Sequence, residues 1–209
     1  MATKLYLLDQ IASNVALMVA KAGCPFCKKA GEYLVKSGFT DKDVKVVYGF
    51  DVENSEELMN TCQELTGAKT FPRVWINSKF IGGCDDIITN YMNGSLTQIK
   101  YDMILSSAAK ELVDSSISTA KVVMISKKTC PPCTEVKMML EEAGFTEEQV
   151  KVITISDWSN MEHIQRYCEE LTGDRSTPRV WIDGKIVGGL KQVQPMFESG
   201  ELEKMALEN

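Results

Sequence analysis

Val15-Ala16-Leu17-Met18-Val19-Ala20-Lys21-Ala22-Gly23-Cys24-Pro25-Phe26-Cys27 opens with six apolar residues and closes on a tight cysteine pair. The apolar run is short, partly β-branched and bounded by polar residues, which marks a buried strand. Beyond the cysteines, Ala30, Tyr33 and Leu34 recur at helical spacing, so the pair sits where a strand hands over to a helix. The passage then returns. Val122-Val123-Met124-Ile125 leads to Cys130-Pro131-Pro132-Cys133, followed by Val136, Met139 and Leu140.

Cys24 to Cys130 is a shift of 106 positions, and the same shift relates every other matched point. Thr66-Gly67 and Phe71-Pro72-Arg73-Val74-Trp75-Ile76 return as Thr172-Gly173 and Thr177-Pro178-Arg179-Val180-Trp181-Ile182. Gly38-Phe39 and Gly82-Gly83 return as Gly144-Phe145 and Gly188-Gly189. A fixed offset over that distance means two copies of one folded unit, too long and too few for a solenoid. The 209 residues suit two domains of about 100, each able to bury its own core. The expected domains are 1–102 and 103–209, meeting within Thr97 to Ser107, which is not rich in Gly, Pro or Ser.

Each copy reads in one order. Helical material comes first, Leu5 to Ile11 and Met103 to Leu112, then the strand and the cysteine-bearing helix, stopped by Gly38 or Gly144. A second strand is expected over Val44 to Phe50 and Val150 to Ile155. The next helix should start near Ser55 or Ser159 and run to Gly67 or Gly173. Arg73 to Ile76, a polar turn and Phe80-Ile81 form a hairpin, as do Arg179 to Ile182, Asp183-Gly184-Lys185 and Ile186-Val187. A last helix follows each Gly-Gly pair. The order αβαβαββα, with C-x-x-C between the first strand and its helix, is the thioredoxin-like arrangement.

A thiolate, not a thiol, attacks disulfides. At a helix cap, Cys24 receives unpaired N–H groups and the positive end of the dipole. Pro25 fits the first helical position, and Lys21 adds a cation. Cys27 lies one turn on, within disulfide reach. A zinc knuckle would keep two such pairs close together, whereas these stand in separate repeats. Cys62 and Cys168 match each other on a helix and read as buried structural thiols, Cys84 follows Gly82-Gly83 beside the site, and His163 reads as a solvated helix residue.

The seven cysteines fit no secreted disulfide framework, since four form close pairs in a chain large enough to fold unaided. No secretory signal and no apolar stretch of about 20 residues is apparent, so a cytoplasmic location and no membrane partner are expected. The net charge is −6, with residues 1–103 at −1 and residues 104–209 at −5. That balance offers no footprint for nucleic acid.

Lys21-x-x-Cys24-Pro25-Phe26-Cys27, Thr70-Phe71-Pro72 and Gly82-Gly83-Cys84-Asp85-Asp86 together resemble the dithiol glutaredoxin pattern, closely in copy one and more loosely in copy two. The resemblance implies two tandem glutaredoxin domains of α/β class, each a central mixed four-stranded sheet flanked by helices. It implies glutathione as co-substrate, with no bound cofactor or metal. Protein disulfides and glutathionylated proteins would be the substrates. Cys24 would be the nucleophile and Cys27 the resolving thiol, with Cys130 and Cys133 as the second pair. Lys21 and Lys69 would meet the glycine carboxylate of glutathione, and the backbone of Phe71, before a cis Pro72, would pair with its cysteine. Asp85 and Asp86 would hold the γ-glutamyl end, whose ammonium suits a carboxylate and whose carboxylate suits a helix N-terminus.

Copy two keeps Lys127, Gln165, Arg175, Thr177 and Pro178 at the corresponding places, but Leu190-Lys191-Gln192 replaces both aspartates. Weaker glutathione use is expected there. Pro132 also removes a backbone N–H that Phe26 supplies in copy one and biases Pro131 away from helical angles, so Cys130 should have the higher thiol pKa. Two other readings stand beside this one: an iron–sulfur carrier using Cys24 and glutathione, and a copy two that acts as a thioredoxin-like or binding module without glutathione.

Overall fold

The computed structural model describes residues 2–49 and 55–208. The chain divides into two compact units, Met1–Asp102 and Met103–Asn209. Unit one runs α1 (Ala2–Ser13), β1 (Ala16–Ala20), α2 (Pro25–Lys36), β2 (Val44–Tyr48), α3 (Ser55–Thr66), β3 (Arg73–Ile76), β4 (Lys79–Gly82) and α4 (Cys84–Met92). Helix α5 (Ser95–Thr119) carries the chain onward. Unit two continues with β5 (Val122–Ser126), α6 (Pro131–Glu142), β6 (Val150–Thr154), α7 (Met161–Thr172), β7 (Arg179–Ile182), β8 (Lys185–Gly188), α8 (Leu190–Glu198) and α9 (Glu201–Leu207).

Each unit holds a four-stranded mixed sheet, ordered β2-β1-β3-β4 and β6-β5-β7-β8. The central strand β1 pairs in parallel with β2, Ala16 facing Val44, and antiparallel with β3, Ala16 facing Ile76. Strand β5 repeats this, Val122 facing Val150 and Ile182. Every residue of β1 and of β5 is buried, because helices cover both faces of each sheet. In unit one, Leu17, Val19 and Trp75 pack against Leu7, Leu58 and Cys62. In unit two, Val123, Ile125 and Trp181 pack against Ala109, Val113 and Ile164, while Val122, Met124 and Val180 pack against Val136, Leu140 and Val193. Among the described residues no helix is long and apolar enough to cross a membrane.

Both hairpins close on two residues with positive φ, Asn77 (49°) and Ser78 (61°) or Asp183 (48°) and Gly184 (76°). That geometry matches the twist of the flanking strands. Gly38 and Gly144 end their helices at φ 93° and 94°.

Several boundaries differ from the sequence reading. Val15 precedes β1, and Ile155 leaves β6 to start a 3-10 turn over Ile155–Asp157. Phe50, the expected end of the second strand, lies outside the described residues. Helix α7 is capped by Asn160 rather than opening at Ser159. The expected final helix of unit two is followed by another, α9, whose Leu202 completes the core. Pro131 is helical despite preceding Pro132. The non-helical step falls at Cys130 (φ −139°, ψ 91°), and the first turn tolerates both prolines because its N–H groups have no intrahelical partner. His163 is half-buried beside the inward stripe of α7 instead of solvated.

Candidate active site

Cys24 is the N-cap of α2, with Pro25 in the first helical turn. Its Sγ accepts the backbone N–H of Cys27 at 3.3 Å. Burial pushes the Cys24 thiol up, but the Cys27 thiol, the N–H groups of Cys27 and Phe26 and the Lys21 charge outweigh it, so its pKa lies below the ordinary thiol value. Cys27 is buried and pushed up to about 11, by desolvation first and then by its bond to Cys24. The two sulfurs are therefore unequal: the half-exposed one ionises more readily than an ordinary thiol and the buried one less readily.

Cys24 opens into a cavity of about 930 Å³ lined by Lys21, Lys69, Phe71, Pro72, Asp85 and Asp86, all singled out by sequence. Phe26, 59% exposed, forms an apolar wall, and Met59 lines the floor. The Phe71–Pro72 bond is cis, as is Thr177–Pro178. Asp86 also caps α4: its Oδ2 accepts the N–H of Gly83 at 2.8 Å. Cys84, unsettled in sequence, lines the same cavity but is only 8% exposed, and desolvation raises its pKa, followed by the charge of Asp85. Cys62 and Cys168 are each 1% exposed and pushed up to about 11, mainly by burial, which makes them inert core thiols.

Unit two is arranged differently. Cys130 and Cys133 are joined as a disulfide, and Cys130 caps α6 without any helical N–H reaching its sulfur. Thr177 instead approaches that sulfur, its hydroxyl at 3.6 Å and its carbonyl at 3.7 Å. The side chain of Gln165 donates to the carbonyl of Arg175 at 3.0 Å and so ties down its own loop. A cavity of about 540 Å³ at Cys130 is lined by Lys128, Thr129, Pro131, Thr134 and Glu135. None of Lys127, Gln165, Arg175, Thr177 or Pro178 takes part in it. Gln192 occupies the position of Asp86 and repeats its cap on Gly189 at 3.0 Å, without the charge.

Sequence reading gave no role to Arg73 and Arg179, which are 7% and 5% exposed at the head of the cis-proline strands. The signal was available: an arginine opens an otherwise apolar strand in both copies.

A C-x-x-C pair at the cap of a helix, beside a cis-proline strand in a mixed four-stranded sheet, defines a thiol–disulfide oxidoreductase. Residues 16–81 and 122–187 each match the family model described as glutaredoxin, and the chain belongs to that family as a tandem of two such domains. Over 94 residues it is 37% identical to glutaredoxin-1 of Oryctolagus cuniculus, covering 45% of this chain and 89% of that protein. It is 39% identical over 94 residues to a glutaredoxin of Vernicia fordii, covering 45% and 84%. The crystal structure of oxidized glutaredoxin 2 from Chlamydomonas reinhardtii is similar at 28% identity with a TM-score of 0.45, over 48% of this chain and 92% of that one.

Proposed function

We propose that unit one is a glutathione-dependent oxidoreductase that reduces protein disulfides and glutathione mixed disulfides. The observation that carries this reading is the stabilised Cys24 sulfur, opening into a cavity that holds Lys21 and Lys69 together with Asp85 and Asp86. Glutathione carries carboxylates at both ends and one ammonium, and these cations, carboxylates and the start of α4 complement it. The cavity is large enough for such a tripeptide.

With a glutathionylated protein, the Cys24 thiolate attacks the glutathione sulfur, the protein thiol leaves, and Cys24 carries glutathione as a mixed disulfide. A second glutathione thiolate then attacks the glutathione sulfur of that mixed disulfide, releasing glutathione disulfide and the Cys24 thiolate. With a protein disulfide, Cys24 forms a mixed disulfide with the substrate. Cys27 loses its proton, attacks Cys24 and releases the second substrate thiol. Two glutathiones then reduce the Cys24–Cys27 disulfide. Phe71 offers its backbone to the sulfur-bearing residue of the ligand. The free thiols suit a reducing compartment, and the cytoplasm is the proposed location.

Unit two is proposed as a second dithiol centre, Cys130 with Cys133, that uses glutathione less well. Lys127, Gln165, Arg175, Thr177 and Pro178 are its residual contacts, but Lys191 and Gln192 stand where the two aspartates do in unit one. The full-length chain tests both statements with a glutathionylated peptide and glutathione. Cys24→Ser/Cys27→Ser should lose most turnover, and Cys130→Ser/Cys133→Ser should keep most of it. The opposite ranking rejects the assignment.

A further inference from the structure

A guanidinium withdrawn from water needs a counter-charge or full hydrogen bonding. Arg179 has both. It is ion-paired with Asp174 and donates to the Asp174 carbonyl at 3.1 Å, the Ser176 hydroxyl at 3.1 Å and the Pro178 carbonyl at 3.2 Å. Arg73 holds the same place in unit one with far less. Its hydrogen bond goes to the Thr70 hydroxyl, it lies over the Phe80 ring at 5.8 Å, and its buried Nε has no hydrogen bond. Among the described residues no carboxylate pairs with it.

The difference traces to one position. Ala68 stands where unit two has Asp174, on a loop of the same form: the Thr66 hydroxyl donates to the Ala68 carbonyl at 3.3 Å, and the Thr172 hydroxyl to the Asp174 carbonyl at 3.0 Å. Arg73 lines the cavity beside Cys24, and its Nη1 lies 3.7 Å from where a Cβ on Gly83 would stand, at the start of α4. Unit two neutralises its buried cation internally. Unit one leaves the same cation without a carboxylate among the described residues, on the lining of the Cys24 cavity.

We propose that Arg73 is a specificity-determining cation of unit one, neutralised by a carboxylate of the bound glutathionyl group, and that Asp174 takes this contact away from unit two. The proposal rests on the glutathione reading of unit one. Arg73 transfers no proton and touches no reacting sulfur, so its effect belongs in binding rather than in the chemical step.

The test uses the full-length chain carrying Cys130→Ser/Cys133→Ser, with Ala68→Asp and, as a neutral control of similar size, Ala68→Asn. Ala68→Asp should raise KM for a glutathionylated peptide by about five- to tenfold, the scale of one charge-assisted contact, with kcat within about twofold. Ala68→Asn should stay near the parent, and added salt should narrow the gap between the two variants. Because Ala68→Asp recreates a pair that unit two already holds, its melting temperature should not fall. Should it fall, Asp174→Ala in a Cys24→Ser/Cys27→Ser chain replaces it, and S-methylglutathione should then bind about fivefold tighter than to its parent. Equal KM values for the Asp and Asn variants of an active parent, or unchanged S-methylglutathione binding, overturn the proposal. A parent that fails to turn over the peptide overturns the glutathione reading, and this proposal with it.

Discussion

At the scale of single residues, the two nucleophile positions differ by one backbone N–H. Phe26 contributes its N–H to holding the Cys24 anion, whereas the matching Pro132 has none to give. Exchanging them should exchange the acidity. Phe26→Pro should raise the Cys24 pKa and Pro132→Phe should lower that of reduced Cys130, each by an amount on the scale of one hydrogen bond to a charged group, about 1.5–3 kcal/mol or roughly one to two pKa units. The sign can be read in a pH profile. A depressed pKa keeps Cys24 ionised as pH falls, so iodoacetamide alkylation of the reduced chain should stay fast below the pH where an ordinary thiol slows. In Phe26→Pro the inflection should move upward. An inflection that stays in place removes Phe26 from the account. Cys27, pushed up to about 11, should resist alkylation throughout the neutral range. The cysteine pairs and Lys21 were legible in sequence because they share one contiguous motif. Arg73 was not, because the significance of a buried charge depends on which partners packing brings to it.

At the scale of elements, the hairpin-to-helix corner decides what the start of α4 can hold. Gly82 has φ 139°, and a Cβ there would stand 2.3 Å from the Asp86 carboxylate. Gly82→Ala should therefore cost about 1–3 kcal/mol in urea denaturation and loosen the Asp86 cap as well. Gly188→Ala meets the movable end of Gln192 at 2.8 Å and should cost less, although its φ of 126° is also strained. A result in which the two substitutions cost the same would count against the close approach to Asp86 as the cause. The capping geometry at Gln192 shows that α8 starts as α4 does and lacks only the charge. Placing Asp at both Lys191 and Gln192 in a Cys24→Ser/Cys27→Ser chain should thus lower the KM of unit two for glutathionylated peptide, roughly fivefold or more for a reversed charge near an ammonium. An unchanged KM would put the handicap of unit two elsewhere, in the Gln165 and Arg175 loop. Strands, hairpins and glycine stops were readable from periodicity and turn residues. The ends of β6 and α7 were not, because apolar Ile155 suits a strand and a buried 3-10 turn equally well.

At the scale of the whole molecule, the constant shift of 106 residues foretold two units, and each core is drawn from its own stretch of chain. Among the described residues the unit-one cluster runs from Tyr6 to Phe80, and the unit-two clusters from Ala109 to Ala206. Helix α5 serves both, burying Leu96 early and Ala109 and Val113 late, while Tyr101 and Ile104 between them are exposed. Sequence reading expected the last helix of copy one to pass into the first of copy two here; α4 instead stops at Met92 before Gly94, and one helix then runs over residues 95–119, which neither Gly nor Pro interrupts. Its early half is secured to unit one by the Lys100–Asp43 pair at 2.8 Å, both side chains largely buried. Separate cores give separable stabilities. Leu140→Ala removes a fully buried side chain from α6 and should cost unit two about 2–5 kcal/mol. Unit one keeps Leu96, Lys100 and its whole apolar cluster in that variant, so glutathione-dependent turnover should survive to the same urea concentration as in the parent. Tryptophan emission reports the difference, because Trp158 and Trp181 belong to unit two and Trp75 to unit one. An early transition should appear in emission while turnover holds. If turnover is lost at that early transition, the two cores are energetically one, and the independence inferred from their composition is wrong.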